Sequence, residues 1–225
     1  MIQHYQIDMN SFCWKQKWDI FQFVFINIIK NTVNGGTCIL FFVCMAFGLY
    51  FNYNIIFLLL AVYIGVYILL SIEETYHIIM LIILEKKDTL DCLDVTCTRI
   101  GLIKLLGGAC VRYKGKFKKS DLLYISIAGP IMPLLIMVIL LIAINIIQMV
   151  FFINMKIIIT IIGICTFTPI VSFVPISFNG FESDGYKIFK ICKESKITVS
   201  QMIQILNYVV RVLLKPAFLN NDFYN

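Results

Sequence analysis

From Ile55 to Leu84 the chain runs for thirty residues as one apolar stretch, broken only between Ser71 and His77. As a helix it would extend about 45 Å, well beyond the roughly 30 Å hydrocarbon core of a bilayer. It must therefore tilt, bend or project from the membrane, with its polar cluster in the second half, toward Glu85-Lys86-Lys87. The whole chain shares this character: 60% of its 225 residues are apolar and 14% are charged. Soluble domains carry roughly one-quarter charged residues, and one soluble core could not hide so much apolar surface, so lipid is the expected solvent.

The remaining stretches extend the pattern. Residues 18–29 are apolar but too short to cross, and are expected to form an interfacial helix or a packed segment ahead of the first span. Spans are predicted over 37–51, 55–84, about 122–153 and about 157–175. Residues 85–121 form the one long polar loop, whose alternation around Asp94 to Ile100 and Gly107-Gly108 predicts a small β-structure at the membrane surface. An apolar-periodic helix is expected near 199–214. The fold class is thus an all-α polytopic membrane protein of about four transmembrane helices plus interfacial helices, with a β-rich surface loop. It reads as one domain over 1–225, with a core at 37–190 and a tail at 186–225. Residues 1–19 contain His4, Asp8, Lys15, Lys17 and Asp19 and lack the apolar core of a cleaved signal.

Charge sets the orientation. The 85–121 loop holds nine Lys and Arg residues and the tail from 186 holds six, whereas the turn at 52–54 has none. The positive-inside rule then puts both termini and the loop in the cytoplasm of a multi-pass cell-membrane protein. Because the basic residues gather at span ends, the net charge of +6 points to membrane lipid and not to nucleic acid. The eight cysteines form no C-x-x-C pair. Cys92 and Cys97, five apart in the loop, are read as free thiols in preference to ligands or a disulfide.

The polar cluster Glu73-Glu74-Thr75-Tyr76-His77 is the costly feature. Insertion scales charge roughly 2.5–3.5 kcal/mol for an acidic residue at a helix centre, and no Lys or Arg lies in the apolar part of any span to offset two of them. A bound cation would supply the missing charge. Glu73 and His77, at i and i+4, share a helical face and can reach one ion, while Glu74 is rotated about 100° from Glu73 and lies beside it. This is the layout of H-E-x-x-H, where two flanking residues bind zinc and the middle Glu is a general base, with Glu in place of the first His. Asp184, within Phe178-Asn179-Gly180-Phe181-Glu182-Ser183-Asp184-Gly185-Tyr186, is the candidate third ligand.

Four motifs in order, E-E-x-x-H, Gly107-Gly108 in a β-rich loop, Ala128-Gly129-Pro130 opening the third span and Asp184-Gly185-Tyr186 after the fourth, resemble the site-2 protease family of intramembrane zinc metalloproteases. The segment from Asn179 is similar to the N-P-F-x-x-x-D-G-Y form of its peptide-maturation branch. The likeness covers roughly residues 55–190. It departs in having Glu73 for His, Gly180 for Pro and a spacer one residue shorter before Asp184; Ile131-Met132-Pro133 also stands where an Asn is expected. The resemblance implies that Glu73, His77 and Asp184 bind Zn2+ with a position left for water, that Glu74 is the general base, and that Gly129, Pro130 and Asn179 align a peptide substrate. That substrate would be a membrane-associated or leader peptide.

Other readings fit less well. Prenyl-protein-type peptidases need histidines downstream, and none follows His77. A transporter is disfavoured by the lack of an internal repeat. A catalytically inactive relative, serving as a membrane binding or immunity protein, is the principal alternative; three retained polar groups argue against it. His4 is read as a solvated side chain.

The Glu-for-His exchange carries a consequence. Zinc held by one His and two carboxylates is formally neutral, whereas two His and one Asp leave it positive, and a less electrophilic ion acidifies its water less. In purified protein, Glu73→His is expected to raise peptide cleavage or move its pH profile toward lower pH. An unchanged rate and profile would contradict this.

Overall fold

The structure, a computed structural model, describes residues 2–9, 16–51, 54–151, 156–178 and 181–214. Each long apolar run is a helix. Among the described residues these are α1 (Lys17–Thr32), α2 (Gly35–Phe51), α3 (Asn54–Ile83), α4 (Lys119–Phe151) and α5 (Lys156–Ser172), followed by α6 (Asp184–Ser195) and α7 (Val199–Leu214). Two helices are long and apolar enough to cross a membrane, Ile55–Ile83 and Lys119–Met149; they become three if α1 and α2, which meet at 88°, form one broken span. Helices α2 and α5 have 17 residues each, about 26 Å of rise and slightly short of the hydrocarbon core.

Helix α1 is the packed segment expected at 18–29. Its residues Ile20, Val24, Ile28 and Thr32 are buried, and their four-residue spacing makes one stripe on one face. The stripe joins a core with Ile78, Ile79, Leu81 and Ile82 of α3. The chain then turns sharply into α2, where Asn34 accepts the Thr37 N–H at 2.9 Å and donates its amide to the Leu102 carbonyl at 2.9 Å. This cap ties the start of α2 to the hairpin of the polar loop.

That loop forms β2 (Leu90–Ile100) and β3 (Ile103–Tyr113), paired antiparallel, with the register shifting at Gly107 so that Thr96 faces Gly108 and Cys97 faces Leu106. A third strand comes from the N-terminus: β1 (Ile2–Asp8) pairs antiparallel with β2, from Ile2 opposite Thr98 to Asp8 opposite Cys92. The sheet, in the order β1-β2-β3, does more than lie on the surface. Leu93, Val95 and Val111 are buried in the same core as α1, α3 and α4. His4, in β1, is exposed and has its Nδ1 3.8 Å from the buried Asp94, which also pairs with Arg112. The seven described cysteines are free.

After α5 a short antiparallel pair, β4 (Ser177–Phe178) and β5 (Phe181–Glu182), leads into α6. Ser183 is the N-cap of α6, its hydroxyl oxygen accepting the Tyr186 N–H at 3.1 Å. The same oxygen accepts the Ile176 N–H at 3.0 Å and donates to the Val174 carbonyl at 2.6 Å. One side chain thus binds the end of α5 to the start of α6. Ser183→Ala is expected to destabilise the protein by about 1–2 kcal/mol, seen as a lower thermal midpoint in detergent, whereas Ser183→Thr, which keeps the hydroxyl, should retain most of the stability.

Candidate metal centre

The second half of α3 is sheathed by α1, α4 and the sheet, so the polar cluster is buried even though the first half of the same helix is mostly half-buried. Glu73, Glu74 and His77 are 4%, 5% and 7% exposed, too enclosed for bulk water to solvate their charge. Each must find a partner inside the protein.

His77 is fixed by α4. Its Nδ1 lies 2.8 Å from the Ile125 carbonyl oxygen, which can only accept, so Nδ1 carries a proton. In the neutral ring Nε2 then presents its lone pair, and Nε2 lies 3.1 Å from Asp184 Oδ2. Two acceptors face each other at that distance only if a cation or a second ring proton stands between them. Ring orientation by a backbone carbonyl is the usual support of a metal-binding histidine.

Glu73 completes the set. Ligand atoms of Glu73, His77 and Asp184 all lie within 4.8 Å of one another. Atoms held about 2.0–2.2 Å from a tetrahedral ion lie about 3.4 Å apart, so the His77–Asp184 separation already suits a shared ion. Glu73 Oε2 is buried with no hydrogen-bond partner among the described residues. An imidazolium at His77 would satisfy Asp184 but leave this oxygen orphaned, whereas a metal ion satisfies both. Two carboxylates and an imidazole suit zinc.

Glu74 stands outside this trio. Its Oε2 accepts the Val111 N–H of β3 at 2.7 Å, so the sheet anchors one of its two oxygens. Asp184 is the first residue of α6, where the positive end of the helix dipole favours a carboxylate. Burial pushes its carboxyl up, but with no metal present a protonated His77, together with Lys187, outweighs this and holds it below the usual range. Its outer oxygen, Oδ1, accepts from Lys187 Nζ at 3.1 Å. Burial also opposes the Lys187 charge, yet Asp184 and its neighbours hold the ammonium above its ordinary range.

Two glycines set the approach of the elements. A Cβ on Gly129 would stand 2.1 Å from His77 Nε2, and one on Gly185 would stand 2.0 Å from the Phe173 carbonyl oxygen. The first lets α4 lie against the imidazole; the second lets α6 lie against the end of α5, which brings Asp184 to His77. Pro130 is buried within α4 beside Gly129. Lacking an N–H, it leaves the Ser126 carbonyl without its helical donor. Asn179 lies outside the described residues. Sequence reading missed Lys187 and Ser183. A serine before an amphipathic run is a cap signal that could have located Ser183, and Lys187 three residues past Asp184 follows once α6 is a helix.

No protein family, curated protein or solved structure matches this chain.

Gly129→Ala is expected to displace the imidazole and cut zinc affinity by about 10–100-fold, measured by chelator competition on detergent-purified protein. Affinity within twofold of the unaltered protein would show that α4 does not gate the ring.

Proposed function

We propose that this protein is a multi-pass intramembrane zinc metalloprotease that cleaves a membrane-associated or leader peptide. The observation that carries the reading is the facing pair His77 Nε2 and Asp184 Oδ2, 3.1 Å apart, beside Glu73 Oε2, which has no hydrogen-bond partner among the described residues. Charge supports it as well. Glu73, Glu74 and Asp184 bring three carboxylates to the site, where the one ammonium among the described residues is that of Lys187, an excess that a divalent cation cancels.

Glu73, His77 and Asp184 would hold the ion. A zinc ion there would supply Lewis acidity, polarising a peptide carbonyl and acidifying a water. Glu74, held by the Val111 N–H, takes a proton from the attacking water as the new C–O bond forms. It then delivers that proton to the departing amine nitrogen as the C–N bond breaks, so one water is consumed and Glu74 returns to its starting state. The low exposure of the cluster excludes bulk solvent, which strengthens each of these electrostatic contacts.

Membrane topology follows from sidedness. Strands β1 and β2 share a sheet, so the chain between them crosses the bilayer an even number of times. If α3 crosses, α2 is the return partner. Asp184 likewise meets His77, so a crossing by α4 is reversed by α5. This yields four crossings, with α2 and α5 short enough to require slight local thinning of the bilayer. The sheet, the site and both ends of the chain then share the cytoplasmic side, which the basic loop and tail favour.

The test is metal content followed by cleavage. Detergent-purified protein is expected to hold about one zinc per chain by elemental analysis. Against a library of membrane-inserted peptides in vesicles, Glu74→Gln is expected to keep the zinc and lose about 100–10,000-fold in cleavage rate, the range of general-base catalysis. Zinc retained with no cleavage by the unaltered protein would favour an inactive binding or immunity protein on the same scaffold. Absence of zinc would overturn the metal site.

A further inference from the structure

The three ligands of the proposed site bring two negative charges, enough to neutralise a divalent ion and blunt its pull on a water or carbonyl. Asp184 is not an ordinary ligand, however. Its two oxygens have separate partners: Oδ2 faces His77 Nε2 at 3.1 Å, and Oδ1 accepts from Lys187 Nζ at 3.1 Å. The side chain of Lys187 is 29% exposed and that of Asp184 is 12% exposed, so water screens the pair poorly. Both residues lie in the first turn of α6, which Ser183 caps, at i and i+3. The pair is thus preset by the helix and not assembled when a ligand arrives.

Resting on the metal reading above, we propose that Lys187 is a positioning residue that offsets part of the negative charge of the ligand set. It holds the outer oxygen of Asp184, limits that carboxylate to one ligating oxygen and withdraws electron density from it. A cation so placed repels the metal as well as tuning it. Lys187 therefore weakens zinc binding while making the bound ion more electrophilic, offsetting the charge that Glu73 brings in place of a neutral ligand.

This sign separates the proposal from a structural role. A lysine that merely props up Asp184 would, when removed, loosen the site and weaken zinc binding. A charge-offsetting lysine does the opposite. The experiment uses the full chain in detergent, with zinc affinity read by competition against a chromogenic chelator and folding by thermal unfolding. Lys187→Gln keeps a donor for Asp184 Oδ1 without the charge, and Lys187→Met removes both. Each is expected to bind zinc more tightly, by about tenfold, a size usual for changes behind the ligands. Lys187→Arg, which keeps charge and donor, should stay within about threefold of the unaltered protein. Cobalt substituted for zinc should give a changed visible absorption band in the Gln and Met variants and an unchanged one in the Arg variant. Weaker or unchanged zinc binding in either folded neutral variant overturns the proposal. So does failure of both neutral variants to fold while the Arg variant folds, since the ammonium would then serve the fold. Absence of zinc from the unaltered protein would instead overturn the metal reading on which the proposal rests.

Discussion

The hydrogen bond from His77 Nδ1 to the Ile125 carbonyl holds α3 and α4 at the depth where the site forms. It is a contact between the last third of one long apolar helix and the first turns of another, buried from bulk solvent. Its consequences spread in both directions. It fixes the ring so that Nε2 points to Asp184, and it requires α4 to come so near that only glycine fits at position 129. Much of what looks like motif in this chain is the set of conditions that allow this one contact.

The acidic cluster is then held by three separate supports. The sheet holds Glu74 through a backbone N–H, α4 holds His77 through a backbone carbonyl, and α6 carries Asp184 at its capped end. Backbone partners suit this work because their positions are set by secondary structure and cost no side-chain ordering. Glu73 alone among the four keeps a buried oxygen without a hydrogen-bond partner among the described residues. The contrast between three braced groups and one incomplete one points to a ligand more firmly than burial alone would.

Local signals in the sequence translated well into structure. The apolar run Ile55–Leu84 is α3 within one residue at each end, and the periodic stretch 199–214 is α7, because hydrophobic length and helical period need no knowledge of distant partners. The pairing of Glu73 with His77 was legible for the same reason. The approach of Asp184, 107 residues from His77, was legible only from its place in the polar segment after the last span and from a resemblance in motif order, since nothing local encodes so distant a contact. Strand β1 escaped notice: Ile2–Asp8 is seven polar-leaning residues whose β-structure depends on a strand about ninety positions later. Lys187 was missed because cations were sought inside the spans, whereas the compensating charge enters from a polar helix beside them.

Pairing of β1 with β2 also imposes an order on synthesis. Chains emerge N-terminus first, at about 5–20 residues per second, so Ile2–Asp8 exists for several seconds before the strand that will receive it. In that interval α2 and the whole of α3, one of the two described helices long and apolar enough to cross a membrane, must be made while the N-terminal strand waits for its partner. The sheet can close once Leu90–Ile100 has followed, and β3 then brings the Val111 N–H to Glu74. Assembly of the acidic cluster is therefore coupled to a later event: Glu74 has no backbone anchor until about half the protein has been made.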